Sequence, residues 1–122
     1  MVRRIIKRES WNIGKRRVDK IKDWERKQGN RAESTGMYSD GADIMVYRGN
    51  ELVRVYESTN YKKPEYYVQP KRAERYRRNL VQYPPSVQKV FVCSHEKNMD
   101  KIGGRGYFTQ HGIQVQVVGH QD

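Results

Sequence analysis

The segment GADIMVYRGNELVRVYEST, residues 41–59, contains two apolar runs on either side of an Arg-Gly-Asn turn. Val, Ile, Tyr and Leu are frequent in both runs, which predicts strands over 44–48 and 51–57 that form a hairpin. Asp43 precedes the first strand and Glu57 closes the second, so the hairpin carries two carboxylates at one end. Whether these carboxylates meet decides what the hairpin can do chemically.

The length of the turn decides whether the two carboxylates share one face of the hairpin. A two-residue loop pairs position 43 with position 56 and turns Glu57 away from Asp43, which suits the apolar pattern of the strands. A three-residue loop pairs position 43 with position 57 and puts both acids on one face, which suits metal binding. A bulge or sharp bend near Asp43 would satisfy both requirements, and the sequence leaves these alternatives open.

The chain is strongly basic. Its 122 residues include 25 Lys and Arg against 14 Asp and Glu, a net charge of +11. This excess favours a polyanionic partner, with nucleic acid ahead of a membrane surface. The length fits one domain, residues 1–122, in which residues 1–9 are predicted to form a flexible basic arm. No apolar run is long enough to span a bilayer, and the single cysteine excludes an intramolecular disulfide, so a reducing, cytoplasmic setting is expected.

The segment before the hairpin predicts an amphipathic helix that is capped by Ser10 and ends at Gly29. Its apolar residues lie within an arc of about 140° when successive residues are placed about 100° apart. This arc predicts the face that packs on the core, and basic side chains occupy much of the remaining surface. The apolar residues are Ile13, Val18, Ile21 and Trp24.

Further elements are predicted from the rest of the chain. A short strand is expected near Met37, and Pro70 suits the first turn of a helix that Pro84-Pro85 ends. The apolar run 87–94 predicts a strand covered on both faces, and the alternation over 113–118 predicts a last strand. The order of elements predicts an α/β sandwich in which helices flank one central mixed sheet.

The order GADI, strand, turn, strand and VYEST resembles the PD-(D/E)xK nuclease superfamily. Three other segments are similar to archaeal and archaeal-virus Holliday-junction resolvases: GKRRVDKIKDWERKQG (14–29), YVQPKRAERYRRNL (67–80) and RGYFTQHGIQVQVV (105–118). The resemblance implies a restriction-endonuclease-like three-layer sandwich and a metal-dependent, structure-selective endodeoxyribonuclease that uses Mg²⁺ or Mn²⁺. It also implies a homodimer and suggests an archaeal or viral source, with the host cytoplasm as the location if viral.

The resemblance also implies the roles of single residues. In the superfamily an aspartate and the glutamate of an E-x-K triplet bind the metal. The resemblance gives these roles to Asp43 and Glu57, with the Ser58 carbonyl as a candidate third ligand. The lysine of the triplet helps to position or deprotonate the attacking water, but Thr59 stands in its place. Many of the resolvases also carry a glutamate four residues after the helical glycine, where this chain has Val18.

Two lysines just past the second strand, Lys62 and Lys63, could fold back to supply the missing positive charge beside Glu57. Glu57, Lys62 and Lys63 are therefore the candidate catalytic residues, with a plain phosphate contact as the alternative role of both lysines. The candidate DNA contacts are basic side chains near the proposed site. They are Arg3, Arg4, Lys7, Arg8, Lys15, Arg16, Arg17, Lys62, Lys63, Lys71, Arg72 and Arg75.

Two other functions stay open at this stage. The absence of a lysine at Thr59 and of an acid at Val18 favours a DNA-binding protein that kept the nuclease scaffold and lost the chemistry. An RNA-binding accessory protein is the third alternative, because the net charge fits any nucleic acid.

Overall fold

The computed structural model describes residues 2–34, 41–59 and 69–119, with the backbone alone over residues 2–13. The predicted hairpin, the helix that begins at Pro70 and the last two strands are confirmed. Along the described chain the elements are α1 (Val2–Lys27), β1 (Arg31–Ser34), β2 (Ile44–Arg48), β3 (Glu51–Ser58), α2 (Pro70–Val81), β4 (Gln88–Cys93), a 3-10 turn (Met99–Ile102), α3 (Gly106–Thr109) and β5 (Ile113–Val117).

The strands form one five-stranded mixed sheet in the order β1-β2-β3-β4-β5. β1, β2 and β3 pair antiparallel, whereas β4 runs parallel to β3 and β5 runs parallel to β4. The predicted α/β class with a central mixed sheet is therefore confirmed. Within the described ranges, none of the helices is long and apolar enough to cross a membrane.

Helices lie on both faces of the sheet, an arrangement compatible with a three-layer sandwich. α1 packs against β1, β2 and β3, and α2 packs on the opposite face against β3, β4 and β5. Each face has its own apolar cluster, because successive residues of a strand point to opposite sides. Ile44 and Val90 belong to the α1 face, whereas Val55, Phe91 and Phe108 belong to the α2 face.

α1 is longer than the sequence predicted. It begins at Val2, so residues 2–9, which were predicted as a flexible arm, belong to the helix, and Ser10 lies inside it instead of capping it. The predicted end is confirmed: the helix stops at Lys27, and Gly29 follows with φ 87°, a left-handed conformation that favours glycine.

The predicted apolar face of α1 is correct only in part. Val18 and Ile21 pack against the sheet, whereas Trp24 is 55% exposed. The reason is the position of the helix, which packs mainly over β1–β3, so Trp24 lies beside the exposed glutamines of β4 and β5. Periodicity within a helix identifies an apolar stripe but not the width of the sheet beneath it.

β1 was not predicted, because its sequence RAES contains only one buried residue, Ala32, and no apolar alternation. Its pairing partner β2 defines it instead, through the pair Ala32 and Val46. The strand predicted near Met37 lies outside the described residues.

The hairpin combines both of the alternative turn geometries. Arg48 pairs with Glu51 across a two-residue turn, but two steps further along β2 Val46 pairs with Arg54. The register therefore shifts by one, and Val53 is an extra residue, a β-bulge, in β3. A bulge was one of the open alternatives, although it lies in the middle of the hairpin and not near Asp43.

The bulge sets which side chains share a face. Beyond it Ile44 pairs with Tyr56, so one further step brings Asp43 opposite Glu57. Val55 therefore packs on the α2 face, whereas Ile44 packs on the α1 face. In a regular two-residue hairpin the two side chains would have shared one face. Both acids therefore lie on the α2 face of the sheet.

Candidate active site

Asp43 and Glu57 lie side by side where the hairpin strands meet β4. Glu57 is 2% exposed, and in its protonated form it is placed to donate a hydrogen bond to Asp43. Burial and the charge of Asp43 raise the pKa of Glu57 to about 9. Burial also raises the pKa of Asp43. Two carboxyl groups this close cannot both ionise freely, so at neutral pH the pair retains a proton unless a cation replaces it.

Each carboxyl group is held by a separate donor. The backbone N–H of Ser58 donates to Asp43 Oδ2 at 2.9 Å, and Asn79 Nδ2 donates to Glu57 Oε1 at 2.8 Å. Asn79 is buried on the sheet-facing side of α2. Both donors stabilise the ionised forms and fix the orientation of the two groups, as hydrogen bonds to metal-binding carboxylates do. The sequence analysis missed Asn79, and its one signal was a polar residue within the buried stripe of α2.

The approach to Asp43 is anchored by Tyr83, just after α2. The backbone N–H of Ala42 donates to Tyr83 Oη at 3.0 Å. A Cβ at Gly41 would come within 3.1 Å of the same oxygen, which explains why glycine suits that position. Asp43 and Glu57 therefore both depend on contacts made by α2 and the turn that follows it.

Thr59 has a structural role. Its backbone N–H and its Oγ1 both donate to the carbonyl oxygen of Val92 in β4 at 2.9 Å, and the residue is 4% exposed. Its hydroxyl therefore fixes the end of β3 to β4 and supplies no positive charge to the acids. Lys62 and Lys63, the lysines predicted to replace that charge, lie outside the described residues.

Arg75 is the described cation that acts on both acids. Burial, the largest effect, raises the two pKa values, and the charge of Arg75 opposes it by lowering the pKa of both Asp43 and Glu57. Arg75 lies four residues before Asn79, one turn along α2, and its side chain is exposed. It can therefore contact a bound anion while remaining beside the carboxyl pair.

The exposed side of α2 is basic around Arg75. Lys71, Arg72, Arg75 and Arg78, hereafter the α2 basic patch, surround a shallow depression together with Glu74. Three members of this patch were predicted as DNA contacts, and Arg78 is an addition. Because the same helix carries Asn79, the patch adjoins the face of the sheet that holds the acids.

The predicted contacts on α1 do not join this patch. Lys15 and Arg16 are exposed, but α1 packs on the other face of the sheet. Arg17 is 2% exposed, and its guanidinium donates to Ser94 Oγ at 3.3 Å and to the Gly119 carbonyl, so its role as a DNA contact stays a prediction. Only the backbone is described for the four remaining residues of α1 that were predicted to contact DNA: Arg3, Arg4, Lys7 and Arg8.

The donor set fits a hard divalent cation with open coordination positions. Within the ranges 2–34, 41–59 and 69–119, no group of three or more His, Cys, Asp and Glu side chains could hold a metal ion. Val18 is packed on the opposite face, so the described part of α1 adds no acid to the pair. Mg²⁺ commonly takes one or two carboxylates and completes its shell with water and phosphate oxygens. Asp43 and Glu57 satisfy that requirement; for Ser58, the contact seen is its N–H to Asp43.

No protein family, curated protein or solved structure matches this chain. The carboxyl pair, the residues that hold the pair and the adjoining basic surface are the features that bear on its function.

Proposed function

We propose that this protein is a DNA-binding, metal-dependent, structure-selective endodeoxyribonuclease similar to the Holliday-junction resolvases. The observation that carries the proposal is the convergence of Asp43 and Glu57 beside the α2 basic patch. In a chain of net charge +11, carboxylates beside such a patch would repel phosphate unless a cation lay between them. The order of helix, three antiparallel strands, helix and parallel strand supports a restriction-endonuclease-like fold.

The residues divide the work of phosphodiester hydrolysis. Asp43 and Glu57 would hold Mg²⁺ or Mn²⁺, which when bound supplies Lewis-acid stabilisation of the phosphate and activation of water. Asn79 and the Ser58 N–H orient the two carboxylates. Arg75 offsets the charge of the pair and contacts the phosphate, and the other residues of the α2 basic patch bind the neighbouring backbone. Contacts of this kind read backbone shape more than sequence, which suits selection by DNA structure.

Binding of a four-way junction by a homodimer belongs to the same proposal. Such a junction offers two equivalent strands to cut, and a two-fold pair of active sites matches that symmetry. The location expected for this function is the cytoplasm, or the host cytoplasm for a viral protein.

The second candidate is a nuclease-like protein that binds DNA without cleaving it. One observation favours it: the hydroxyl of Thr59 is bonded to Val92, so the position that the resemblance gives to lysine is occupied by a residue of the β3–β4 pairing. The distinction between the two candidates is whether Arg75 and the carboxyl pair suffice for hydrolysis.

Cleavage of labelled DNA separates the two candidates. The protein is incubated with a four-way junction, a linear duplex and a single strand, in Mg²⁺, in Mn²⁺ and in chelator. We expect metal-dependent cleavage of the junction that is abolished in Asp43→Asn and Glu57→Gln. Glu51→Gln is the matched control, because Glu51 is an exposed acid at the start of the same strand, β3.

The outcome of the cleavage assay distinguishes the two candidates. Cleavage by the Glu51→Gln protein and none by Glu57→Gln supports the nuclease. Salt-sensitive junction binding without cleavage in either metal supports the second candidate. If no DNA structure is bound at low salt, both candidates are wrong.

A further inference from the structure

A second basic groove lies on the opposite face of the sheet from the carboxyl pair. It exists because α1 packs mainly over β1–β3, so Gln88 of β4 and Gln114 and Gln116 of β5 stay exposed beside it, whereas Val90 and Val92 of β4 are buried. Trp24 and Lys20 of α1 form one wall, and a row of glutamines, Gln88, Gln114 and Gln116, lies across β4 and β5. The volume of this Trp24 groove is about 320 Å³, at the small end of the range of ligand pockets.

The Trp24 groove is complementary to an anion. Its lining includes the cations Arg17, Lys20 and Arg54 and no Asp or Glu side chain; Lys20 is exposed, Arg17 is 2% exposed, and Arg54 is paired with Glu25. Glu25, the residue after Trp24, is 0% exposed and accepts hydrogen bonds from Arg54, Tyr56 and Asn30, so its charge is compensated. An anion in the groove would therefore face Lys20 and uncharged amides.

The glutamines of the groove are ordered by hydrogen bonds. Arg54 Nε donates to Gln88 Oε1 at 2.8 Å, and Gln88 Nε2 donates to Gln114 Oε1 at 2.9 Å. This row of hydrogen bonds holds the amides in fixed orientations, and Gln114 and Gln116 are exposed along β5. Glutamine amides carry both donors and acceptors, which is the combination needed to contact the edges of nucleobases.

Trp24 supplies the aromatic surface. It is 55% exposed although neighbouring apolar residues of α1 are packed, so its ring forms a wall of the groove and does not enter the core. A cationic groove with an aromatic platform is the arrangement by which proteins bind single-stranded nucleic acid. A duplex would fit less well, because its bases are stacked on one another and offer no free face to an indole ring.

We propose that the Trp24 groove binds a single-stranded segment of DNA, with one base stacked on Trp24, a phosphate near Lys20 and the glutamine amides at the base edges. The choice of DNA over RNA rests on the proposed function, whereas the preference for a single strand rests on the groove itself. The sheet separates this groove from Asp43 and Glu57, so the site would hold a strand that is not being cut.

Fluorescence of Trp24 tests the proposal directly. The chain has two tryptophans, so Trp11→Phe leaves Trp24 as the single indole. Titration of that protein with a short oligo-dT in chelator should give saturable quenching. Anisotropy with labelled oligo-dT should show binding about tenfold weaker in Trp24→Ala, in an otherwise unaltered protein, because stacking on one aromatic ring is typically worth a factor of that order. Lys20→Ala should reduce the salt dependence of binding.

The controls separate this proposal from the cleavage site. Val81→Ala removes another exposed apolar side chain, 42% exposed at the end of α2, and should leave oligo-dT affinity unchanged. Glu57→Gln should keep the quenching, since binding here needs neither acid nor metal. Quenching by an unaltered protein that cleaves no DNA therefore counts only against the nuclease, and cleavage by an unaltered protein without quenching of Trp24 counts only against the groove.

Three results would overturn the proposal. Unchanged oligo-dT affinity in Trp24→Ala would remove the stacking contact. Tighter binding of oligo-U than of oligo-dT would assign the groove to RNA. Conversion of a dimer to a monomer by Trp24→Ala in sedimentation, with oligo-dT affinity unchanged, would assign it to a second copy of the chain.

Discussion

Asp43 lies opposite Glu57 because Val53 is bulged out of the pairing between β2 and β3, so that Val46 pairs with Arg54. The two-residue turn alone would bring Asp43 opposite Tyr56, with Glu57 on the other face of the sheet. The bulge corrects this offset while leaving Ile44 and Val53 packed against α1. The geometry of the acid pair is therefore set by an irregularity in β3 and not by the turn.

Deleting Val53 should preserve the acid pair. The deletion removes the bulge, after which Val46 still faces Arg54 and Asp43 still faces Glu57 in a regular hairpin. Deleting Tyr47 from β2 is the matched control, because it shifts Asp43 one position away from Glu57. We expect Mn²⁺ to raise the melting temperature of the Val53 deletion and not of the Tyr47 deletion. The reverse pattern, in two folded proteins, would show that the register has been assigned incorrectly.

Stability in chelator should fall as the pH rises. The folded-state pKa of Glu57 is raised to about 9, whereas its ordinary value is 4.5. Between about pH 4.5 and pH 9 the folded protein therefore retains a proton that the unfolded chain has released. The free energy of unfolding falls as the pH rises through this range. Glu57→Gln cannot ionise and should flatten this dependence, giving a higher melting temperature than the parent near pH 8. Mg²⁺ should recover stability most strongly at the alkaline end. A wild-type melting curve that does not change across this range would contradict the buried pair.

Asn79→Ala should weaken metal binding about tenfold or more, because it removes the donor that orients Glu57, and outer contacts of metal ligands typically have effects of this size. Gln82→Ala is the control: Gln82 donates to the backbone carbonyl of Asn79 at 2.8 Å, so the change leaves in place the side-chain amide that holds Glu57. Calorimetric titration with Mn²⁺ measures both. Equal affinities in the two variants would show that Asn79 only packs.

Arg75→Ala should lower kcat for junction cleavage at least about tenfold, because it removes the positive charge that acts on both acids. Arg78→Ala, on the same helix, removes a proposed phosphate contact and should mainly raise KM. Arg75→Lys should recover part of kcat, since it restores the charge without the planar guanidinium. A change in KM alone for Arg75→Ala would show that Arg75 only contacts the DNA backbone.

Thr59→Val should cost about 1 kcal/mol of unfolding free energy, because it removes the hydroxyl bond to Val92 while keeping the shape of the side chain. Denaturant titration measures this cost. Cleavage at a temperature well below melting should be unchanged, because the hydroxyl is engaged with β4. A large loss of kcat would give Thr59 a direct role in the chemistry.

The sequence predicted those elements whose pattern is local. Alternation marked β5, an apolar run marked β4, and Pro70 marked the start of α2, all of which follow from side-chain order alone. β1 could not be found this way, since RAES becomes a strand only through pairing with β2. The early start of α1 was missed because Ser10 matched a cap signal that the longer helix overrides.

The residues of the candidate site also divide into those with a local sequence signal and those without one. Asp43 and Glu57 were identified from residue type and spacing, but their alignment depends on the bulge at Val53, which both faces of the sheet determine together. Asn79 carries no distinctive local signal, and its role depends on how α2 docks on β3. Trp24 was predicted to pack on the core because helical periodicity does not reveal where the surface covered by α1 ends.

The contacts of α2 have a mechanical consequence. Asn79 donates a hydrogen bond to Glu57. Tyr83, just beyond the same helix, accepts one from the backbone N–H of Ala42, next to Asp43. A rigid shift of α2 and the residues just after it would move both contacts together. The orientation of Glu57 and the position of the backbone before Asp43 are thus coupled through one helix.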